Sequence, residues 1–340
     1  MIDFRSDTFT KPNDHMLQAM MAASVGDDVF GEDPTVNELE KYAASLFGKE
    51  AGLFCPSGTM TNQIAIRVHT QIGDEVICEK NAHVYKYEGG GIASNSLCSV
   101  KLLEGERGIL HPDQLPGAFN NPKDPHFPLS RLVCLENTSN FGGGSIYPKE
   151  NLIGFREKTL EMNLSLHLDG ARVFNALEEA NYTSQEMGEW FDSISICLSK
   201  GLGAPVGSVL VGDQGFIDKA RRVRKSLGGG MRQAGYLAAA GLYALVHNRS
   251  RLKEDHAAMR EIAEVLKPLD WIEQVEYPET NILFFTTKGP AQNLVDELAK
   301  HHIQALAVAK NRIRMVGHLD IAPYDYQVTK SLLPKLEISF

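Results

Sequence analysis

Short apolar runs alternate with helix-patterned stretches up to about residue 212, and this alternation constrains the fold more than any other feature. The runs are "AGLFC" (51–55), "DEVICE" (74–79), "SRLVCLEN" (130–137), "LSLHLD" (164–169), "SISICLS" (193–199) and "GSVLVG" (207–212). Several are apolar at consecutive positions, as in strands covered on both faces. Between them, "DPTVNELEKYAASLFGKE" (33–50) places Val36, Leu39, Tyr42, Ala43, Leu46 and Phe47 on one helical face, and Gly48 ends it. "KENLIGFREKTLEM" (149–162) reads as another helix. The pattern predicts an α/β fold with a mostly parallel sheet. Ligands of such sheets bind just past the carboxyl ends of the strands. The polar residues expected there are His83, Asn137, Asp169 and Lys200.

After "GGGMRQAGYLAAAGLYALVHN" (228–248) the texture changes. A long charged amphipathic helix (249–269) is followed by "TNILFFTTK" (280–288), "PAQNLVDELAKHH" (290–302) and "RIRMVGH" (312–318). Strand, helix, strand predicts a smaller α+β domain. The expected division is a large domain with its N-terminal arm over 1–245 and a small C-terminal domain over 246–340. A chain of 340 residues accommodates both.

Composition narrows the class. The net charge of −9 argues against a nucleic-acid partner. Five scattered cysteines form no CxxC pair, so neither a disulfide framework nor a zinc ribbon is expected, and no metal-ligand spacing stands out. "MIDFRSDTFTKP" resembles neither a signal peptide nor a transit peptide. No run reaches the ~18 apolar residues of a membrane span. A cytoplasmic protein with no membrane partner is expected.

The candidate chemistry lies at the strand ends, and each residue has a plainer reading. Asp169 followed by Gly170 fits an acid facing a cofactor cation, or an aspartate paired with nearby Arg172. Lys200 fits a Schiff-base lysine activated by desolvation, or a lysine reaching water. Gly201 and Gly203 are expected to admit a ring and backbone. "SGT" (57–59) opens a helix, so it is a phosphate cradle or a plain cap. "GGGMR" (228–232) brings Arg232 on a flexible loop. His83 is a stacking or a structural histidine. Phosphate site, ring-stacking group, acid and amine in that order meet the needs of pyridoxal 5'-phosphate (PLP).

With these residues in place the sequence resembles the low-specificity L-threonine aldolases, of the aspartate-aminotransferase-like fold type I. The motifs are "DFRSDTFTKP", "GDDVFGEDPTVNELE", "PSGTMTNQIA", "LEGERGIL", "LHLDGARVFNA", "SKGLGAPVGSVLVG", "GGGMRQAG" and "RMVGHLD", in register along almost the whole chain. The resemblance implies retro-aldol cleavage of L-threonine or L-allo-threonine, a small amino-acid substrate, to glycine and an aldehyde. It also implies a homotetramer with active sites shared between subunits. By position, Lys200 resembles the Schiff-base lysine, Asp169 the partner of the pyridine nitrogen and Arg172 the contact to the ring 3-oxygen. Gly58 and Thr59 resemble the phosphate binders, with Lys225 and Arg232 contributed near the phosphate by a neighbouring subunit. His83 resembles the stacking histidine and His126 a second active-site histidine; either is a candidate base. Ser6 and Arg314 would hold the substrate carboxylate, with Arg312 as the alternative. Ser139, in "LENTSNFGGGSIYP", stands where a histidine is expected, which bears on substrate preference more than on reaction class.

The nearest rival is a PLP lyase acting by β-elimination with the same Lys, Asp and phosphate site. A non-catalytic PLP-binding protein and a nucleotide-binding module are further alternatives. The module fits poorly, because no P-loop is present and no GxGxxG follows the first strand.

Overall fold

A computed structural model describes residues 1–338. The strands in chain order are β1 (Ile2–Asp3), β2 (Ala51–Cys55), β3 (Glu75–Glu79), β4 (Ser99–Leu103), β5 (Ser130–Glu136), β6 (Ser165–Gly170), β7 (Ser193–Cys197), β8 (Ser208–Gly212), β9 (Ile272–Val275), β10 (Ile282–Thr287), β11 (Ile303–Gln304), β12 (Leu306–Ala307) and β13 (Arg312–Val316). The main sheet has seven strands in the order β2-β8-β7-β6-β5-β3-β4. Its β7-β6-β5-β3-β4 run is parallel, while β8 is antiparallel to both of its neighbours. The parallel strands therefore end on one edge, and that edge carries every strand-end residue singled out above.

The strand run at 99–103 was not legible in the sequence. β4 is the last strand of the sheet, and its residues are half-buried or exposed, so it lacks the apolar signature of the others. The other runs became strands because both faces are covered: Leu53, Val76, Leu132, Leu166, Ile194 and Val209 are fully buried. The helix Pro34–Leu46 begins where Asp33 accepts hydrogen bonds from the Thr35 and Val36 amides, with Pro34 in its first turn. It buries Val36, Leu39 and Ala43, and Gly48 follows it at φ 61°.

A second layer forms around the antiparallel sheet β12-β13-β10-β9. Its core joins Met259, Ile262 and Leu266 of the helix Leu252–Leu266 to Leu283, Phe285, Ile313 and Met315. Ile2 and Phe4, from the opposite end of the chain, belong to the same core. β1 pairs with β11, and the Phe4 ring meets Tyr326 edge-on at 5.7 Å. The N-terminal arm then leaves this layer for the main sheet, where Thr10 Oγ1 donates to the Lys200 carbonyl at 2.8 Å. This arm carries Ser6 and Asp7 between the two layers, and the candidate site lies there.

Candidate active site

The acid side of the site is built on β5 and β6. Glu136 and Asp169 are register partners at the ends of these strands, and both are buried. Asp169 Oδ2 accepts from Asn62 Nδ2 at 2.9 Å, and Oδ1 accepts from the Ala171 amide at 3.1 Å. Glu136 accepts from the amides of His83 and Asn140, each at 2.8 Å. Burial, reinforced by the charge of Asp169, raises the Glu136 pKa.

His83 opens the helix His83–Lys86, and its Nδ1 lies 2.9 Å from Glu88 Oε1. Burial opposes a charged ring there. The Glu88 hydrogen bond and the charges of Asp169, Glu88 and Glu136 outweigh it, so the His83 pKa is raised. His83, Glu88 and Asp169 offer polar atoms within 4.8 Å of one another. Asn62 Nδ2 donates to both carboxylates, at 2.8 Å to Glu88 and 2.9 Å to Asp169, so the cluster is closed by hydrogen bonds.

Lys200 follows β7 in a turn closed by the Gly203 amide, which donates to the Lys200 carbonyl at 2.8 Å. Gly203 needs its glycine, because its φ is +81°. Gly201 and Gly203, expected to clear space for a ring, face apolar side chains instead. A Cβ at Gly201 would lie 3.0 Å from Leu252 Cδ2, and one at Gly203 would lie 2.7 Å from Leu319 Cδ2. These glycines admit apolar side chains from the C-terminal part of the chain. Burial would raise the Cys197 thiol, but the Lys200 ammonium and hydrogen bonds from Ser199 lower it, which puts the lysine charge beside the end of β7.

The helix Gly58–His69 points its N-terminus into the same region. Ser57 caps it by accepting from the Met60 amide, and Gly58 and Thr59 occupy the first turn. The buried Ser208 Oγ has no hydrogen-bond partner and lies 3.4 Å from where a Gly58 Cβ would stand. Free first-turn amides and an orphaned hydroxyl together suit an anion. The loop after the helix Gln214–Ser226 brings Gly229 against Met60, in the helix's first turn. Lys225 and Arg232 on either side of it are exposed, and Arg232 pairs with Asp27 at 3.0 Å. Neither cation donates to the Gly58 turn within this chain.

The arginine side comes from the arm and from β13. Asp7 is fully buried and accepts from Arg172 Nη2 at 2.6 Å and Nε at 2.8 Å. Burial alone would raise its pKa. Arg172, with Lys200 and Arg314 nearby, instead holds it well below the usual aspartate range. Arg314 is mostly buried; burial and then the charge of Arg172 lower its pKa to about 10. Its Nε is buried without a hydrogen-bond partner. Arg312 is already engaged, with two 3.0 Å bonds to Glu276 and its guanidinium 3.9 Å from the centre of the Phe284 ring. Ser6 lies next to Asp7 and caps the turn Asp7–Phe9.

One candidate lies elsewhere. The His126 side chain is 87% exposed, and its Nδ1 bonds Asp124 at 2.7 Å. It precedes β5, so it sits at the amino edge of the sheet, about 20 Å from the acid edge at strand rise. Within one chain the structure unites Ser6, Gly58, Thr59, His83, Asp169, Arg172, Lys200 and Arg314, but not His126, Lys225 or Arg232. Ser139 is buried within the loop after β5. It bridges to Ser145, accepts from the Gly142 amide at 3.2 Å and packs against Gly108. Sequence reasoning missed Asp7, Asn62, Glu88 and Glu136. The available signal was weak: Asn62 and Gln63 interrupt an otherwise apolar helical face.

Comparison with known proteins follows the same geometry. Residues 3–288 match the beta-eliminating lyase family. The chain is 45% identical to the low specificity L-threonine aldolase of Escherichia coli (strain K12) over 323 residues, which cover 95% of each protein. It is 41% identical to the probable low-specificity L-threonine aldolase 2 of Arabidopsis thaliana over 343 residues, covering 98% of this chain and 97% of the other. The Leishmania major threonine aldolase structure superposes with a TM-score of 0.86 at 19% identity, covering 98% of this chain and 99% of that one. A Sphingomonas wittichii serine palmitoyltransferase superposes at 0.77 with 15% identity, covering 98% and 86%. At these identities the two structures share the fold.

Proposed function

The chain belongs to the beta-eliminating lyases and, within them, to the low-specificity L-threonine aldolases, and from that premise we propose how its own residues divide the work. It is a PLP-dependent lyase of fold type I. It cleaves the Cα–Cβ bond of L-threonine, L-allo-threonine and related β-hydroxy-α-amino acids by a retro-aldol reaction, yielding glycine and an aldehyde.

The residues present fit the cofactor. The amides of Gly58 and Thr59, with the orphaned Ser208 Oγ, would hold its phosphate. The Lys200 amine would anchor its aldehyde carbon, and the Asp169 carboxylate would pair with its ring nitrogen. Arg172 spends Nε and Nη2 on Asp7, and Nη1, which makes only a long 3.4 Å bond to Asn140 Oδ1, is the group that would turn to the ring oxygen. The His83 ring would pack on the cofactor. Bound there, PLP supplies the electron sink for the pair of electrons left on Cα.

The protein's own part is to grip, orient and move one proton. Arg314 receives the substrate carboxylate, since its Nε is unpartnered where Arg312 is committed to Glu276. Ser6 assists from the arm. A grip at the carboxylate sets which bond at Cα is broken, and binding geometry of this kind is where much of the rate comes from. His83, held by Glu88 through Nδ1, uses its other ring nitrogen to take the β-hydroxyl proton. The ring can do this only when it is unprotonated, and its raised pKa moves that condition to higher pH.

His126, Lys225 and Arg232 are proposed to act from a second copy of the chain, in a homotetramer with shared sites. The observation that supports this is their absence from the site within one chain. The five cysteines are unpaired and buried, and no described helix is long and apolar enough to cross a membrane, which fits the proposed cytoplasmic location.

One observation carries the reading: an anchoring lysine, an acid, a histidine and an unpartnered arginine converge on one sheet edge beside a helix N-terminus. Assays of glycine and acetaldehyde from L-threonine and L-allo-threonine test it. 2-Oxobutanoate and ammonia as the products would replace it with β-elimination.

A further inference from the structure

The side of the main sheet beneath the helix Gly58–His69 is unexpectedly polar. His167 and Asp169 alternate on β6, and Ser193 and Ser195 on β7, so each pair faces the same way. All four are buried. Asn62 lies on the helix above them and makes three contacts. Its Nδ2 donates to Asp169 at 2.9 Å and to Glu88 at 2.8 Å, and its Oδ1 lies 3.1 Å from His167 Nε2.

Two carboxylates at Nδ2 fix the orientation of the amide, because a flip would set Oδ1 against both. Oδ1 then needs a donor, so His167 carries its proton on Nε2. His167 Nδ1 becomes an acceptor for Ser193 Oγ at 2.8 Å, and the Ser193 oxygen in turn accepts from His69 Nε2 at 2.8 Å. His69 stacks on Phe216 at 4.6 Å. Burial lowers the pKa of His167 to about 3 and that of His69 to about 4, so both rings are neutral and each has one proton to place. Every donor in this chain points toward Asp169 and Glu88.

We propose that Asn62 is a positioning residue that ties Asp169 to Glu88, and so to His83, and that the His69–Ser193–His167 chain holds its amide in the working orientation. Packing alone does not call for this arrangement, since apolar residues of similar size would fill the layer at least as well. What the amide adds is alignment. The acid for the ring nitrogen and the acid that orients the proton-accepting histidine share one donor group. The inference rests on the roles given above to Asp169 and His83.

The test uses the purified enzyme with and without PLP. In cofactor-free protein carrying 15N-labelled histidine, His69 and His167 are expected as neutral Nε2–H tautomers from about pH 5.5 to 8.5. Titration of either ring in that range, or an Nδ1–H tautomer, would overturn the chain. Asn62→Leu is expected to weaken PLP binding to the cofactor-free protein about tenfold and to lower kcat at least as much, with KM for L-threonine within about twofold. His167→Phe should move the same quantities in the same direction. His167→Gln, whose amide can still donate to Asn62 Oδ1, should restore them. Parent-like PLP affinity and kcat in Asn62→Leu would sink the proposal, as would identical behaviour of the two His167 variants, which decide the matter if Asn62→Leu does not fold. Asp169→Asn runs alongside. If it too binds PLP like the parent, the assignment of Asp169 itself falls; if it is impaired while Asn62→Leu is not, only the role of Asn62 falls.

Discussion

The two sides of the site satisfy their charges in opposite ways. On the β5–β6 side the acids Asp169, Glu136 and Glu88 are met by neutral donors: backbone amides, Asn62 and Gln63, with His83 as the one ring that can take up charge. On the side of the arm and β13, charge meets charge. Asp7 is clamped by Arg172, and Arg314 is left with a buried, unpartnered Nε. In the proposed assignment, the first side keeps negative charge in hand for the ring nitrogen of the cofactor, and the second keeps positive charge in hand for the substrate carboxylate. A site that must hold a zwitterion-like complex is thus divided into halves of opposite sign before anything binds.

Lys200 lies between the halves and gives the sharpest test of whether they work as one site. Lys200→Ala should lose the visible cofactor absorbance of the purified protein and lower kcat on the order of a thousandfold or more. A retained band with near-normal turnover would separate the two halves from the chemistry altogether.

Asp7→Ala attacks the arginine side through its foundation. It strands Arg172, a buried cation, and should cost about 3–5 kcal/mol in urea unfolding. The pH dependence has a definite sign. Asp7 has a folded-state pKa below its ordinary value, so its contribution is complete above about pH 4–5, near the unfolded pKa. It is lost as pH falls toward the lowered value. The parent should therefore lose stability below about pH 4 more steeply than Asp7→Asn does.

Arg314→Ala should raise KM for L-threonine by about 10–100-fold while leaving PLP binding close to that of the parent. Arg312→Ala, which removes a half-buried pair with Glu276, should change KM little. An equal effect of both would erase the distinction drawn between a free and a committed arginine.

The smallest effect is expected on the acid side. Glu88→Gln removes the charge that favours protonated His83, so the acidic limb of kcat/KM should move to lower pH. An unmoved limb would mean that His83 is not the group that titrates.

The residues of each half differ in how visible they are before folding. Asp169 and Lys200 stand out because apolar runs deliver them to strand ends, and a polar residue in that place needs a reason. His83 follows a strand in the same way. Asn62, Glu88 and Asp7 carry no such signature. Their partners lie 107, 26 and 165 residues away in the chain, and only the fold brings them within hydrogen-bonding distance. The choice between Arg312 and Arg314 was open for the same reason. The two stand two residues apart on β13 and so share one face of the strand, and they differ only in what packs around them: Glu276 and Phe284 around Arg312, and Asp7 and Arg172 near Arg314. In the sequence Gly201 and Gly203 suggest room for a ring, while the structure fills that room with Leu252 and Leu319.

What the sequence determined by itself is the frame and the reaction. The spacing of apolar runs dictates a parallel sheet with one functional edge, because strands buried on both faces admit few other arrangements. The motifs along that frame identify the cofactor and the bond it helps to break. The tertiary structure alone decided which charges are spent and which are kept. Whether a buried acid or arginine is paired, shared or left waiting depends on groups that are distant in sequence and adjacent in space, and desolvation makes each such pairing matter.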